Sequence, residues 1–139
     1  MFTGIVEETG RVIEASRKGL RVEKSEQVFA WARELGIERR AFFLIGMPEE
    51  TPEDLLLTEG LAERLDPEVF GVTLLCPYPG SALYDPVGMK SWDWSRTDEY
   101  DNDYWATAHF TNADLKAWRR RLTDKFARSL SWHNRVLEQ

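Results

Sequence analysis

Apolar residues in the first half of the chain form short continuous runs separated by stretches with helical spacing. The runs at residues 2–7, 40–46 and 69–75 have the length of strands. The last two are apolar at nearly every position, which is typical of parallel strands covered on both faces. The pattern therefore predicts three parallel strands.

The stretches between these runs predict helices. A short helix is expected from Gly10 to Lys18, and residues 23–35 have helical spacing. Residues 51–54 form a strong helix start, because the threonine can cap the helix and proline is favoured at its first position. That helix should end near Leu65. The helix over residues 23–35 carries one apolar stripe: Val28, Trp31, Ala32 and Leu35.

Strands that alternate with helices of about 10 to 15 residues are typical of right-handed βαβ units. The last third of the chain differs, since residues 91–109 are rich in aromatic and acidic residues. Apolar residues then recur at helical spacing from Asn112 to Leu130. We predict an α/β domain over residues 1–90, with an aromatic loop and a long C-terminal helix over residues 91–139 packed on it.

Composition narrows the class of protein. With 139 residues, 42% of them hydrophobic and a net charge of −6, the chain is expected to be one soluble domain that binds neither nucleic acid nor membranes. No apolar run approaches the roughly 18 residues of a membrane span, and the first residues do not have the pattern expected of a signal peptide. A single cysteine, Cys76, excludes an internal disulfide. A cytoplasmic location is the default expectation.

Four pieces of the chain, in order, resemble the radical S-adenosylmethionine superfamily. The first, GIVEETGRVIEASRKGLRVEKSEQVFAWARELGIE, resembles a strand that ends in an acidic residue and is followed by two helices. AFFLIGMPEETPEDL is similar to that superfamily's fifth strand and turn, and LDPEVFGVTLLCPYPGSALYD to its sixth. The aromatic stretch and the Arg-rich closing helix are similar to the tail of the cobalamin-linked branch. The likeness covers nearly the whole chain.

This resemblance implies half of a partial (β/α) barrel, with S-adenosylmethionine as the cofactor. The other half would carry the CxxxCxxC loop that binds a [4Fe–4S] cluster, and that loop is absent here. Cys76 alone cannot hold three cluster irons. The chain is therefore expected to be the C-terminal portion of a radical enzyme, inactive alone, whose cluster is supplied by a missing N-terminal half or a partner.

The family's cofactor positions match several residues of this chain. The acidic residue at the end of the fourth strand falls on Glu7 or Glu8, and the spacing leaves that choice open. Glu49 stands where the family has glycine, which changes that turn. The implied cofactor-binding set is Glu7, Glu8, Leu44, Ile45, Gly46, Glu50, Cys76 and Pro77. No catalytic or metal-binding residue is implied.

These residues also have ordinary structural interpretations. Glu7 and Glu8 suit solvated strand ends, Glu50 suits the approach to a helix, and Cys76 suits a small buried apolar position. The acidic residues at 98–103 lack the spacing of an EF-hand, which favours a solvated loop. The basic residues of the last helix are expected either to face solvent or to form a docking surface for that acidic loop. The aromatic residues at 92–105 are expected to close one end of the core.

Two other functions stay open. The opening MFTGIVEETGRV resembles the start of riboflavin synthase, although no second copy of the motif follows. A non-catalytic interaction module derived from a half barrel is the rival to the enzyme fragment. In an isolated half barrel the inner sheet face would be exposed. We therefore expect that face to dock on the missing barrel half, to self-associate, or to be covered by the C-terminal helix and tryptophans.

Overall fold

The computed structural model describes residues 21–100 and 102–126. In chain order they form helix α1 (Val22–Glu34), strand β1 (Arg40–Ile45), helix α2 (Pro52–Leu65), strand β2 (Val69–Leu74) and helix α3 (Asn112–Phe126). A single 3₁₀ turn, Trp94–Arg96, lies in the long connection before α3. Strands β1 and β2 pair in parallel, with each residue from 40 to 45 opposite the residue 29 positions later.

The prediction of a half barrel with three parallel strands is wrong. The described residues form a two-stranded parallel sheet with three helices, which is a small α/β domain. The predicted strand at residues 2–7, the predicted helix from Gly10 to Lys18 and Leu130 lie outside the described residues. The proposed division of the chain near residue 90 stays a prediction.

Among the described residues, helices cover one face of the sheet. Ala41, Phe43 and Ile45 are buried, whereas Phe42 and Leu44 on the other face are 40% and 36% exposed. Among the described residues the C-terminal helix packs on the opposite face, so it does not cover this one, and docking or self-association of this face stays a prediction. The side chains of β1 alternate between the two faces, so its continuous apolar sequence does not report how many faces are covered.

Helix α2 starts where the sequence predicted it. The Thr51 hydroxyl accepts a hydrogen bond from the Asp54 amide, and the Asp54 carboxylate accepts one from the Thr51 amide at 2.8 Å. This reciprocal cap satisfies two amides that the helix itself cannot pair, and Pro52 occupies the first helical position. Leu55 and Leu65 on this helix are buried against the sheet.

Helix α3 packs beside α2 on the same face of the sheet. Its Leu115 and Leu122 are fully buried, and Phe126 contacts Phe70 with ring centroids 4.8 Å apart. Glu59 of α2 accepts hydrogen bonds from Arg121 and Lys125 of α3, each at 2.7 Å. The C-terminal helix therefore completes the covered face and leaves the face of Phe42 and Leu44 open within the described residues.

The packed face of helix α1 overlaps the predicted stripe only in part, since Val28 and Ala32 are half-buried. Val22 and Phe29 are buried, whereas Trp31 and Leu35 are 53% and 73% exposed. The helix contacts α2, and Arg33 pairs with Asp66 at its end. Among the described residues, no helix is long and apolar enough to cross a membrane.

Candidate functional site

The candidate site lies at the carboxyl edge of the two-stranded sheet. Gly46 directly follows β1, and Cys76 and Pro77 are the second and third residues after β2. Because the strands are parallel, their carboxyl ends meet at one edge, where α/β proteins commonly bind ligands. The parallel pairing thus brings six of the predicted cofactor-binding residues to one region: Leu44, Ile45, Gly46, Glu50, Cys76 and Pro77. Glu7 and Glu8 lie outside the described residues.

Both backbone hydrogen-bonding groups of Gly46 are taken by side chains. Its amide donates to Glu50 Oε2 at 2.5 Å, and its carbonyl accepts from the indole Nε1 of Trp105 at 2.7 Å. Gly46 also has a φ of +92°, and a Cβ there would lie 3.3 Å from Leu115 Cδ1. The positive φ therefore favours glycine, and a Cβ would in addition be in tight contact with the Leu115 side chain.

Glu50 is a buried carboxyl group. Its side chain is fully buried, and burial is the main cause that raises its pKa to about 7. The amide of Gly46 opposes this rise, and the negative charge of Asp54 adds to it. Its second oxygen, Oε1, has no hydrogen-bond partner among the described residues. Burying a carboxylate with one unpaired oxygen is costly, which favours the protonated form.

The end of β2 carries a thiol and a phenol. Cys76 is buried, and burial is the largest cause of the raised pKa of its thiol. The Tyr78 hydroxyl donates to Glu99 Oε2 at 2.5 Å, and this hydrogen bond raises the pKa of the phenol. The Glu99 carbonyl in turn accepts a hydrogen bond from the Leu74 amide at 2.9 Å. Glu99 therefore attaches the acidic loop to β2.

The basic helix α3 also holds the acidic loop. Lys116 forms an ion pair with Asp103, and Arg119 donates to the backbone carbonyl of Tyr100. This confirms, for the described residues, the expectation that the acidic loop docks on the basic helix. Asp101 lies outside those residues.

The sequence pattern does not predict that the segment from Asn102 to Trp105 belongs to the candidate site, which it joins through the contact between Trp105 and Gly46. The buried Asn102 side chain accepts hydrogen bonds from the amides of Tyr104 and Trp105 at 3.0 and 2.9 Å. Asn112 Nδ2 donates to the carbonyls of Asn102 and Trp105 at 2.8 and 3.0 Å. The available signal was the pair of asparagines, because asparagine side chains commonly hydrogen-bond nearby backbone in turns.

The aromatic residues form a cluster beside this segment. Trp92 stacks on Tyr104 with ring centroids 5.3 Å apart, and it meets Trp105 edge-on at 6.4 Å. Trp94 and Tyr84 continue the cluster. Trp105 is the ring of this cluster that packs against the core, and closure of one end of the core by the whole group stays a prediction.

The residues present do not fit an iron–sulfur cluster. Within residues 21–100 and 102–126, no three His, Cys, Asp or Glu side chains are grouped so as to hold a metal ion. The complete sequence contains one cysteine, whereas a [4Fe–4S] cluster is held by several thiolates. The thiol of Cys76 is therefore too little to hold such a cluster in this chain.

The outer edge of β1 carries backbone hydrogen-bonding groups that point away from β2. The Ile45 carbonyl accepts from the Leu75 amide, so in a parallel ladder the backbone groups of Leu44 point away from β2. No other described strand pairs with that edge. The edge thus presents a backbone donor and acceptor beside the partly exposed Leu44 side chain.

Comparison with known proteins finds a similar archaeal protein. The chain is 31% identical over 85 residues to an uncharacterized methyltransferase of Pyrococcus horikoshii. The matched region covers 61% of this chain and 18% of that protein, so the chain spans about a fifth of the relative's length. No family model matches the chain.

Replacing Glu50 with glutamine should flatten the pH dependence of stability. Because the pKa of Glu50 is higher in the folded than in the unfolded chain, the unfolded state releases its proton first as pH rises. Stability should therefore fall between pH 4.5 and about 7, by roughly 3 kcal/mol from this group. Urea unfolding at pH 4.5 to 8 should show this fall in wild type and not in Glu50→Gln.

The control is Glu49→Gln, which makes the same chemical change at an exposed neighbour. It should keep the wild-type pH dependence. A Glu50→Gln variant whose stability falls with pH as steeply as wild type would show that Glu50 is not held protonated by burial.

Proposed function

We propose that this chain is part of a larger S-adenosylmethionine-dependent methyltransferase and that it binds the adenine of that cofactor at the outer edge of β1. The observation that carries the proposal is the backbone edge at Leu44, which no described strand pairs and which lies beside an apolar side chain at the carboxyl end of a parallel strand. The likeness to the Pyrococcus methyltransferase supports it, because methyltransferases commonly use this cofactor.

The proposed contacts divide between backbone and side chain. The Leu44 amide and carbonyl would pair with the polar edge of adenine, and its side chain would cover part of the flat ring. Gly46 would shape the edge and make no adenine hydrogen bond, because its amide and carbonyl are already paired. Ile45 is fully buried on the helix-covered face, so it would support the edge from behind.

The residues after β2 would form the adjacent wall of the site. Cys76 and Pro77 are buried, which limits them to shaping the wall. Tyr78 is 43% exposed and is held by Glu99, so it is the more accessible side chain there. Glu50 would not contact the ligand. It would affect ligand binding indirectly, because its carboxyl group accepts a hydrogen bond from the Gly46 amide.

The finer proposal is a radical S-adenosylmethionine enzyme of the cobalamin-linked branch. Its support is the paired sequence IGMPEETPED and CPYPGSALYD and their position after two parallel strands. Since this chain offers no thiolate set, the cluster would be held by another part of a longer protein or by a partner. The chain by itself would then bind the cofactor without cleaving it.

Calorimetric titration of the chain with S-adenosylmethionine should give saturable binding. Leu44→Glu should weaken it at least tenfold, because a carboxylate would replace an apolar contact beside the adenine. Leu57→Glu is the matched control, since Leu57 is similarly exposed but lies on α2. Absence of binding by wild type, or equal binding by Leu44→Glu, would contradict the proposal.

Anaerobic incubation of the chain with iron, sulfide, reductant and S-adenosylmethionine should yield no 5′-deoxyadenosine. The reason is the single cysteine, which cannot assemble the cluster that reduces the cofactor. Product analysis by chromatography makes the measurement. Formation of 5′-deoxyadenosine by the chain alone would contradict its proposed dependence on another polypeptide segment.

A second candidate function is protein interaction through the open sheet face. Phe42 and Leu44 are exposed on that face, next to the edge that no described strand pairs. We propose a second copy of this chain as the occupant. Antiparallel pairing of two β1 edges centred on Phe42 would place Arg40 opposite Leu44 of the other copy, so no like charges would face each other.

Light scattering after size-exclusion chromatography should then give about twice the 16.2 kDa monomer mass at high concentration. Phe42→Glu should shift the chain to monomer, because it would bring two carboxylates together at the centre of the pairing. Val87→Glu, at a position 83% exposed, should leave the mass unchanged. A wild-type monomer at all concentrations would contradict self-association and would leave another segment of a longer protein as the occupant of this face.

A further inference from the structure

The indole of Trp105 connects two distant parts of the sequence at the candidate site. Its Nε1 donates to the Gly46 carbonyl at 2.7 Å, across 59 residues of sequence. Its ring also limits the space beside Gly46, since a Cβ there would lie 3.3 Å from Nε1. Trp105 therefore contacts the end of β1 through both a hydrogen bond and ring packing.

The position of the indole is itself fixed by buried polar contacts. Asn102 accepts from the Trp105 amide, and Asn112 at the start of α3 donates to the Trp105 carbonyl. Trp92 packs edge-on against the ring. Because both backbone groups of Trp105 are paired, a movement of α3 or of the aromatic cluster would move the indole and the Gly46 carbonyl with it.

Gly46 needs such support, because its backbone lies in the left-handed region and could rotate readily without it. Glu50 holds the amide of Gly46, and Trp105 holds the carbonyl. Glu50 thus holds the peptide group before Gly46, and Trp105 holds the peptide group after it. The orientation of this second peptide group sets where the chain leaves β1, two residues after Leu44.

We propose that Trp105 is a positioning residue for the adenine-binding edge of β1, and that the segment from Asn102 to Trp105 sets the cofactor affinity of that edge. This inference rests on the proposed function. Trp105 would act through Gly46, without touching the cofactor. It assigns to the last third of the chain a role in a site that the first two thirds form.

The test compares Trp105→Phe with Trp118→Phe. Both tryptophans are half-buried and pack against the core, but the indole N–H of Trp105 is the one that reaches Gly46. Trp105→Phe should weaken S-adenosylmethionine binding about five- to tenfold, the effect of one hydrogen bond. Trp118→Phe should change affinity less than twofold, even where urea unfolding shows that both variants lose similar stability.

Hydrogen exchange of the Gly46 amide, followed by NMR without ligand, gives a readout that general destabilisation would not reproduce. Trp105→Phe should speed this exchange at least tenfold relative to Trp118→Phe of similar stability. Unchanged affinity and unchanged Gly46 exchange in Trp105→Phe would overturn the inference while the proposed function stands. Absence of cofactor binding by wild type would overturn the proposed function and this inference with it.

Discussion

The arrangement of the candidate site depends on how the peptide groups of Gly46 are satisfied. A buried carboxyl from one side and an indole N–H from the other pair with its amide and carbonyl. Unpaired backbone groups are costly where water is excluded, so these two side chains fix the end of β1. Burial of the Glu50 carboxyl group is the unfavourable part of this arrangement. It raises the pKa of Glu50 to about 7 and leaves one carboxyl oxygen without a partner among the described residues.

The two faces of the sheet differ in how far the described residues cover them. One face is covered by α2 and α3, which Glu59 joins through Arg121 and Lys125. The other face presents Phe42 and Leu44. Exposed apolar side chains next to an unpaired strand edge commonly mark an interaction surface or a ligand site. The adenine proposal and the self-association proposal both use this edge, so cofactor and second copy would compete at Leu44.

Local features of the fold could be predicted from sequence because their causes are local. The Thr51-Pro52 start of α2 needs only a cap and a favoured proline, and both strands are short apolar runs. The number of covered sheet faces could not be predicted, because an apolar run suits either case. Helix α1 shows the same limit of prediction. It carries apolar residues on neighbouring stripes, and the sequence does not tell that Phe29 is buried while Trp31 is exposed. Glu50 was found through resemblance, whereas the role of Trp105 depends on a contact across 59 residues.

The central claim, that the outer edge of β1 binds S-adenosylmethionine, is tested most directly by NMR of the isotope-labelled chain during titration with the cofactor. We expect saturable shifts of the Leu44 and Gly46 amides and of the Trp105 indole N–H, with the amides of α1 unchanged. Absence of saturable shifts, or shifts confined to residues away from the carboxyl edge of the sheet, would contradict the account.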